Sequence, residues 1–207
     1  FWKSYELNDL TIFALPAVFS SAELDSGTKL LLSTFHKADG LTGKVLDLGC
    51  GAGVIGASLK KQFPKIKLTM SDIHAMAIAS SKRTLSENAL EGEVLASDVF
   101  SHIEGRFDLI VSNPPYIEDG DAHLSQGDLR FEPQNALTDF SDGLSHIRHI
   151  TQEAPKYLKA NGWLLFEHGY DQGKAVRNIM LENGFAEVAT EQDLAGLDRV
   201  TLGRLPA

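Results

Sequence analysis

At 207 residues the chain is long enough to bury a full-sized core and fits one domain, with no surplus for a second. The formal net charge of -9 argues against a broad electrostatic grip on nucleic-acid phosphates, leaving room only for a local basic patch. No long apolar run and no charged-then-apolar leader is present, which reads as a soluble, cytoplasmic protein, and a single cysteine, Cys50, rules out an internal disulfide.

In chain order, Leu10 to Leu15 is strand-like and breaks at Pro16. A helix is predicted from about Ser26 to Phe35, with Asp25 or Ser26 as cap and Leu30, Leu31, Thr34 and Phe35 on one apolar face. Residues 1–43 thus form a segment covering the core, and VFSSAELDSG, which contains Phe19, is a loop laid over the glycine-rich turn at 49–53; packing strap and ligand contact are the two readings of it.

The organising stretch is Val45 to Gly56, VLDLGCGAGVIG. Val45, Leu46 and Leu48 make a run suited to a strand buried on both faces, and it ends abruptly in Gly49, Gly51 and Gly53. Those glycines open backbone angles closed to other residues and let a ligand touch the main chain, while Val54 to Phe63 resumes at helical spacing. Cys50, inside the turn, suits a small buried filler better than a nucleophile.

Beyond it strands and helices alternate: strand Lys67–Ser71, helix His74–Asn88, strands Gly92–Ala96 and Phe107–Ser112, helix Ser141–Leu158, strand Gly162–Glu167, helix Asp171–Asn183. Such alternation means right-handed crossovers and a parallel sheet covered on both sides. Two closing strand candidates, Phe185–Thr190 and Arg199–Arg204, add an antiparallel hairpin. The fold class is therefore α/β, a Rossmann-like seven-stranded mostly parallel sheet, and the stretch Ile117–Phe140 is too long for a mere connection.

In such a sheet, ligands lie beyond the carboxyl ends of the strands. Asp72 ends one strand 19 residues past Gly53, placed to accept ribose hydroxyl hydrogens or to cap the next helix. Asp98, within SDVF, follows the next strand, with a helix cap as its plain alternative. Asn113, Pro114, Pro115 and Tyr116 follow the apolar strand LIVS, and two prolines force the chain out of the sheet at the mouth of the cleft.

A dinucleotide fingerprint needs GxGxxG, but its third glycine would fall on Val54; the pattern is instead GxGxG preceded by Asp47. In this the chain resembles class I S-adenosylmethionine-dependent methyltransferases. The resemblance implies S-adenosyl-L-methionine as cofactor, held by Asp47, Gly49, Cys50, Gly51, Gly53 and Asp72 with its neighbour Ile73, and by Ser97, Asp98 and Val99 around the adenine, with Phe19 and Asn113 closing the site. It further implies that NPPY marks enzymes acting on planar NH2 groups. Their nitrogen is a weak nucleophile; the Asn113 side-chain oxygen and the Pro114 carbonyl would accept its hydrogens and aim its lone pair at the methyl carbon, while Tyr116 packs on the planar group.

The resemblance divides along the chain. From about Leu15 to Asn113, segments such as GKVLDLGCGAGV and GRFDLIVSNPP resemble the small-subunit ribosomal RNA guanine-N2 methyltransferase family. From Tyr116 onward, segments such as GWLLFEHGYDQGKAVR and DLAGLDRVTLGR resemble the release factor glutamine-N5 methyltransferase family. A mosaic of two related domains joined near 112–116 is one reading of this split, within a single catalytic domain spanning 1–207. Because the acceptor pocket belongs to the later half, glutamine of a release factor is the first expectation, guanine in small-subunit ribosomal RNA the alternative, and a cofactor-binding domain without turnover the third, since both families carry a further N-terminal domain for substrate engagement. Remaining candidates are plainer. His123, Arg130, Phe131 and Glu132 lie in the long loop; His146 and His149 are three apart with no evident third ligand, so no metal is expected; Glu167 and His168 end a strand beside the cleft, better suited to support than to base catalysis.

Overall fold

The computed structural model describes residues 2–16, 18, 26–35, 40–118, 120, 137–139 and 141–207. Phe19 and the loop residues His123, Arg130, Phe131 and Glu132 lie outside the described residues.

A two-stranded hairpin, β1 (Lys3–Leu7) and β2 (Leu10–Ala14), opens the chain. The sequence reading has only its second strand, because Lys3–Leu7 is largely exposed and offers little apolar pattern. The missed signal is the turn: Asn8 and Asp9 both take left-handed φ, 44° and 61°, the geometry of a tight two-residue hairpin loop. Helix α1 (Ser26–Thr34) follows.

The main sheet comprises β3 (Gly43–Leu48), β4 (Ile66–Asp72), β5 (Glu93–Ala96), β6 (Phe107–Ser112), β7 (Leu158–Glu167), β8 (Ala186–Gln192) and β9 (Asp198–Arg204). Their spatial order is β5-β4-β3-β6-β7-β9-β8, all parallel except β9, which runs antiparallel to both β7 and β8. Between them lie helices α2 (Val54–Gln62), α3 (Ala75–Glu87), α4 (Ser145–Tyr157) and α5 (Gly173–Glu182). The expected seven-stranded, mostly parallel sheet with a terminal antiparallel hairpin is the observed one.

Alternation along the buried strands sorts side chains onto two faces. Val45, Leu109, Val111 and Leu165 pack with α1, α2, α3 and the β1–β2 hairpin, whereas Leu46, Ile110, Leu164 and Phe166 pack with α4 and α5. Strand order turns at β3, which has β4 on one side and β6 on the other, so the crevice opens between the carboxyl ends of β3 and β6. α4 begins four residues later than expected because Asp139 takes over its start, accepting from the Ser145 backbone N–H and hydroxyl at 2.8 and 2.6 Å. Among the described residues no helix is long and apolar enough to cross a membrane.

Candidate active site

A cleft of about 360 Å³ lies over the ends of β3, β4, β5 and β6, within the size range of small-molecule sites. On one side it is lined by Gly49, Cys50, Gly51, Asp72 and Ile73, then Ser97, Asp98 and Val99; on the other by Asn113, Pro114, Pro115 and Tyr116. Residues far apart in sequence thus share one cavity.

The glycine turn is held from below and behind. Gly49 and Cys50 donate their N–H groups to the Ser71 carbonyl at 2.8 and 2.9 Å, and Gly51 N–H donates to Asp72 Oδ2 at 3.0 Å. From α3, the Ser81 hydroxyl donates to the Gly51 carbonyl and the Thr84 hydroxyl to the Ala52 carbonyl. Gly49, Gly51 and Gly53 have φ of 74°, 53° and 82°, the left-handed angles for which glycine is used.

Asp47 and Gly53 stand behind this loop and do not line the cleft. Asp47 is fully buried, and its Oδ2 accepts from the Gly56 N–H at 2.8 Å. A Cβ at position 56 would lie 2.3 Å from Met70 Sδ and 2.9 Å from Asp47 Oδ2, so only glycine allows that approach. Burial, and secondarily the charge of Asp72, push the Asp47 carboxyl up to about 7 against the opposing pull of the Gly56 N–H; Asp47 Oδ1 has no hydrogen-bond partner among the described residues. Cys50 is buried as expected: its thiol lies 3.2 Å from Ser81 Oγ, and burial raises its pKa well above the ordinary value, which makes it a poor nucleophile.

Asp72 serves two neighbours: Oδ2 holds the loop and Oδ1 accepts from His74 N–H at 2.9 Å at the entry to α3. A carboxylate oxygen can accept more than one hydrogen bond, and Asp72 lines the cleft. For Asp98 the helix-cap reading fails. No helix follows β5; the chain turns, with Ser101 N–H donating to the Asp98 carbonyl, and leaves the Asp98 side chain exposed at the cleft. Val99 beside it has φ 47°, a strained conformation for a β-branched residue, of the kind found at functional sites.

At the far wall, Ser112 donates to the Leu48 carbonyl at 2.7 Å and ties β6 to β3 just before the proline turn. Asn113 Nδ2 donates to Thr28 Oγ1 at 3.4 Å, and the Tyr116 carbonyl accepts from Gln172 Nε2 at 2.9 Å. Thr28, His146 and Ile150 also line the cleft, and the sequence gives no sign of this, because only the packing of α1 and α4 against the sheet brings them there; Leu137 joins them from the segment ahead of α4, its carbonyl accepting from Ile117 N–H. His149 opens instead onto a second, shallower depression with His146 and Glu153. Among the described residues no cluster of three or more His, Cys, Asp or Glu is arranged to hold a metal ion. Glu167 and His168 are both buried. His168 lies 2.8 Å from both the Gly169 carbonyl and Thr201 Oγ1, and burial lowers its pKa, so it is a neutral structural group and not a base facing the cleft.

The family model for the methyltransferase small domain matches residues 9–130, which include the glycine turn, Asp72, Asp98 and the Asn113–Tyr116 turn. The chain belongs to this family. The cofactor of such methyltransferase domains is S-adenosylmethionine, and the cleft offers what it requires: a glycine turn open to contact, a carboxylate at the end of β4 and a polar pocket after β5. The chain is similar to the ribosomal RNA small subunit methyltransferase C of Actinobacillus pleuropneumoniae serotype 7, 83% identical over 116 residues, covering 56% of this chain and 35% of that one. It is also similar to the release factor glutamine methyltransferase of Neisseria gonorrhoeae, 50% identical over 165 residues, covering 78% of this chain and 60% of that one. The chain thus spans about a third of the length of the first relative. In fold it is similar to the T. thermophilus 16S rRNA N2 methyltransferase solved in complex with AdoMet and guanosine, with a TM-score of 0.75 at 23% identity over 99% of this chain and 50% of that one.

Proposed function

We propose that this methyltransferase domain carries out direct in-line transfer of the S-adenosylmethionine methyl group to a planar NH2 group, with the exocyclic amine of a guanine in small-subunit ribosomal RNA as acceptor. The observation that carries it is the opening of Asn113–Tyr116 onto the same cleft as the glycine turn and Asp72. Asn113 and the Pro114 carbonyl accept the hydrogens of the acceptor nitrogen, and Tyr116 covers its plane. The nitrogen becomes acidic only once alkylated, so no strong base is needed. To the cofactor we assign Gly49, Cys50, Gly51, Asp72, Ile73, Ser97, Asp98, Val99 and Asn113, with Asp47 and Gly53 acting through the loop and Phe19 keeping the role the resemblance implies. Guanine takes precedence over glutamine, the first expectation from sequence, because relatives at 83% and 69% identity are named for ribosomal RNA.

Glutamine of a release factor is the second reading. Its specific support is the longer match, 165 residues against 116, together with a net charge of -9 that opposes RNA phosphates. The test offers methyl-labelled cofactor to small ribosomal subunits and to purified release factor in parallel. Label in the RNA supports the first reading and label in the protein the second; label in neither leaves a cofactor-binding domain that does not turn over.

We further propose a single domain in which the two resembled parts meet near 112–116. One cooperative thermal transition is expected, and separate similarity searches with each half should return different families; one family matching both halves equally well would sink the mosaic.

A further inference from the structure

Asn113 is one member of a chain of hydrogen bonds that runs away from the cleft through two other elements. Thr28 sits in the first turn of α1 and Glu167 is the last residue of β7. Although 139 positions apart, they meet: Thr28 Oγ1 donates to Glu167 Oε2 at 3.0 Å. Thr28 Oγ1 in turn accepts from Asn113 Nδ2 at 3.4 Å. Both supporting side chains are buried, Thr28 being 4% exposed and Glu167 1%.

Donor and acceptor chemistry gives this chain a direction. The Thr28 hydroxyl donates toward Glu167 Oε2, so its oxygen meets Asn113 with lone pairs. Only an NH2 group can meet lone pairs. Asn113 must therefore turn Nδ2 toward Thr28 and keep Oδ1 for the cleft. The reversed amide would set Oδ1 against the Thr28 lone pairs and offer the cleft a donor, which cannot receive hydrogens from an acceptor nitrogen. A Cβ at Gly27 would lie 2.1 Å from Glu167 Oε1, so glycine there lets the Glu167 carboxyl pack directly against the first turn of α1 beside Thr28.

We propose that Glu167 and Thr28 are positioning residues that set the polarity of the Asn113 amide and so select an acceptor bearing NH2 hydrogens. The same strand end secures the other half of the motif: Gln172 accepts from Gly169 N–H at 2.9 Å through Oε1 and donates to the Tyr116 carbonyl at 2.9 Å through Nε2. The inference rests on the acceptor-holding role proposed for Asn113.

Two measurements on the full chain test it. In protein isotopically labelled at asparagine, nuclear Overhauser contacts read the amide orientation directly. The Asn113 NH2 protons are expected to contact the Thr28 methyl group, and Glu167→Met, which frees the Thr28 proton to reach Asn113 Oδ1, should abolish or scramble that contact. Absence of the contact in the unsubstituted protein, or its persistence in Glu167→Met, overturns the relay. In transfer assays, Thr28→Val should lower turnover at saturating cofactor by roughly tenfold or more with cofactor affinity within about twofold, and Thr28→Ser should restore it to within about threefold. Full turnover in Thr28→Val, or equal impairment in Thr28→Ser, overturns the proposal. Should Asn113→Ala transfer as fast as the unsubstituted protein, it is the acceptor-holding role that falls, while the orientation of the amide still stands or falls on the resonance measurement.

Discussion

The two walls of the cleft are built in different ways. The cofactor wall is assembled from neighbouring loops on adjacent strands: the glycine turn is held by Ser71, Asp72, Ser81 and Thr84, all within 32 positions of their partners. The acceptor wall is assembled over long distances, Asn113 to Thr28 across 85 positions, Thr28 to Glu167 across 139 and Tyr116 to Gln172 across 56. A wall made of local loops keeps its geometry wherever its motif occurs, whereas one made of distant segments depends on how the whole domain packs. Under the roles proposed above, cofactor binding and acceptor choice are separable within one cavity, as the proposed mosaic of two related domains requires.

That separation can be broken by substitution. The largest effect is expected at Asn113→Ala, which should reduce transfer by roughly a hundredfold or more while cofactor affinity, read by calorimetry, stays within about threefold. A comparable loss of cofactor binding would erase the distinction between the walls. Asp47 probes the other side through stability. Its carboxyl ionises near 3.8 ordinarily and at about 7 in the folded protein, so it is neutral in the fold and charged in the unfolded chain between those values. Its contribution to stability is fully present below about pH 3.8 and is lost as pH rises through 7, amounting to roughly 4 kcal/mol at most. Asp47→Asn should raise the melting temperature at pH 8 and leave it little changed at pH 4; the opposite order would remove the buried-acid account.

Asp72→Ala should weaken binding of the cofactor and of its demethylated product by roughly 1.5–3 kcal/mol, a change visible by calorimetry, because a charged acceptor and the tether of the glycine turn are lost together. Unchanged binding would remove Asp72 from the cofactor wall. The smallest effect is expected at Arg148→Ala. Arg148 pairs with Asp142 on the exposed approach to α4 and holds the Asp142 carboxyl down at about 2, but both partners are close to half exposed. Its removal should cost below roughly 1 kcal/mol in thermal or chemical unfolding and leave both walls intact.

The glycine turn and the carboxylate that tethers it were legible in the sequence, because glycine at 49, 51 and 53, a carboxylate at 72 and an apolar strand before each are local requirements written in adjacent letters. Two local readings failed for local reasons. Lys3–Leu7 is too exposed to carry a strand pattern, and the cap alternative for Asp98 falls because a turn, and no helix, follows β5. His146 was visible only as half of a histidine pair. Its place on the cleft follows from the angle at which α4 lies on the sheet, which no spacing encodes.

The sequence by itself determined that this chain folds as a parallel sheet with a glycine turn for S-adenosylmethionine and a proline turn opposite it, because strand periodicity, glycine and proline act on their immediate neighbours. Only the tertiary structure decided how Asn113 is presented. Its amide donates to Thr28 Oγ1, and the Thr28 hydroxyl in turn donates to Glu167. A side-chain amide has two chemically opposite ends of nearly equal shape, and which end faces the substrate is settled by partners that the fold, and not the motif, brings within reach.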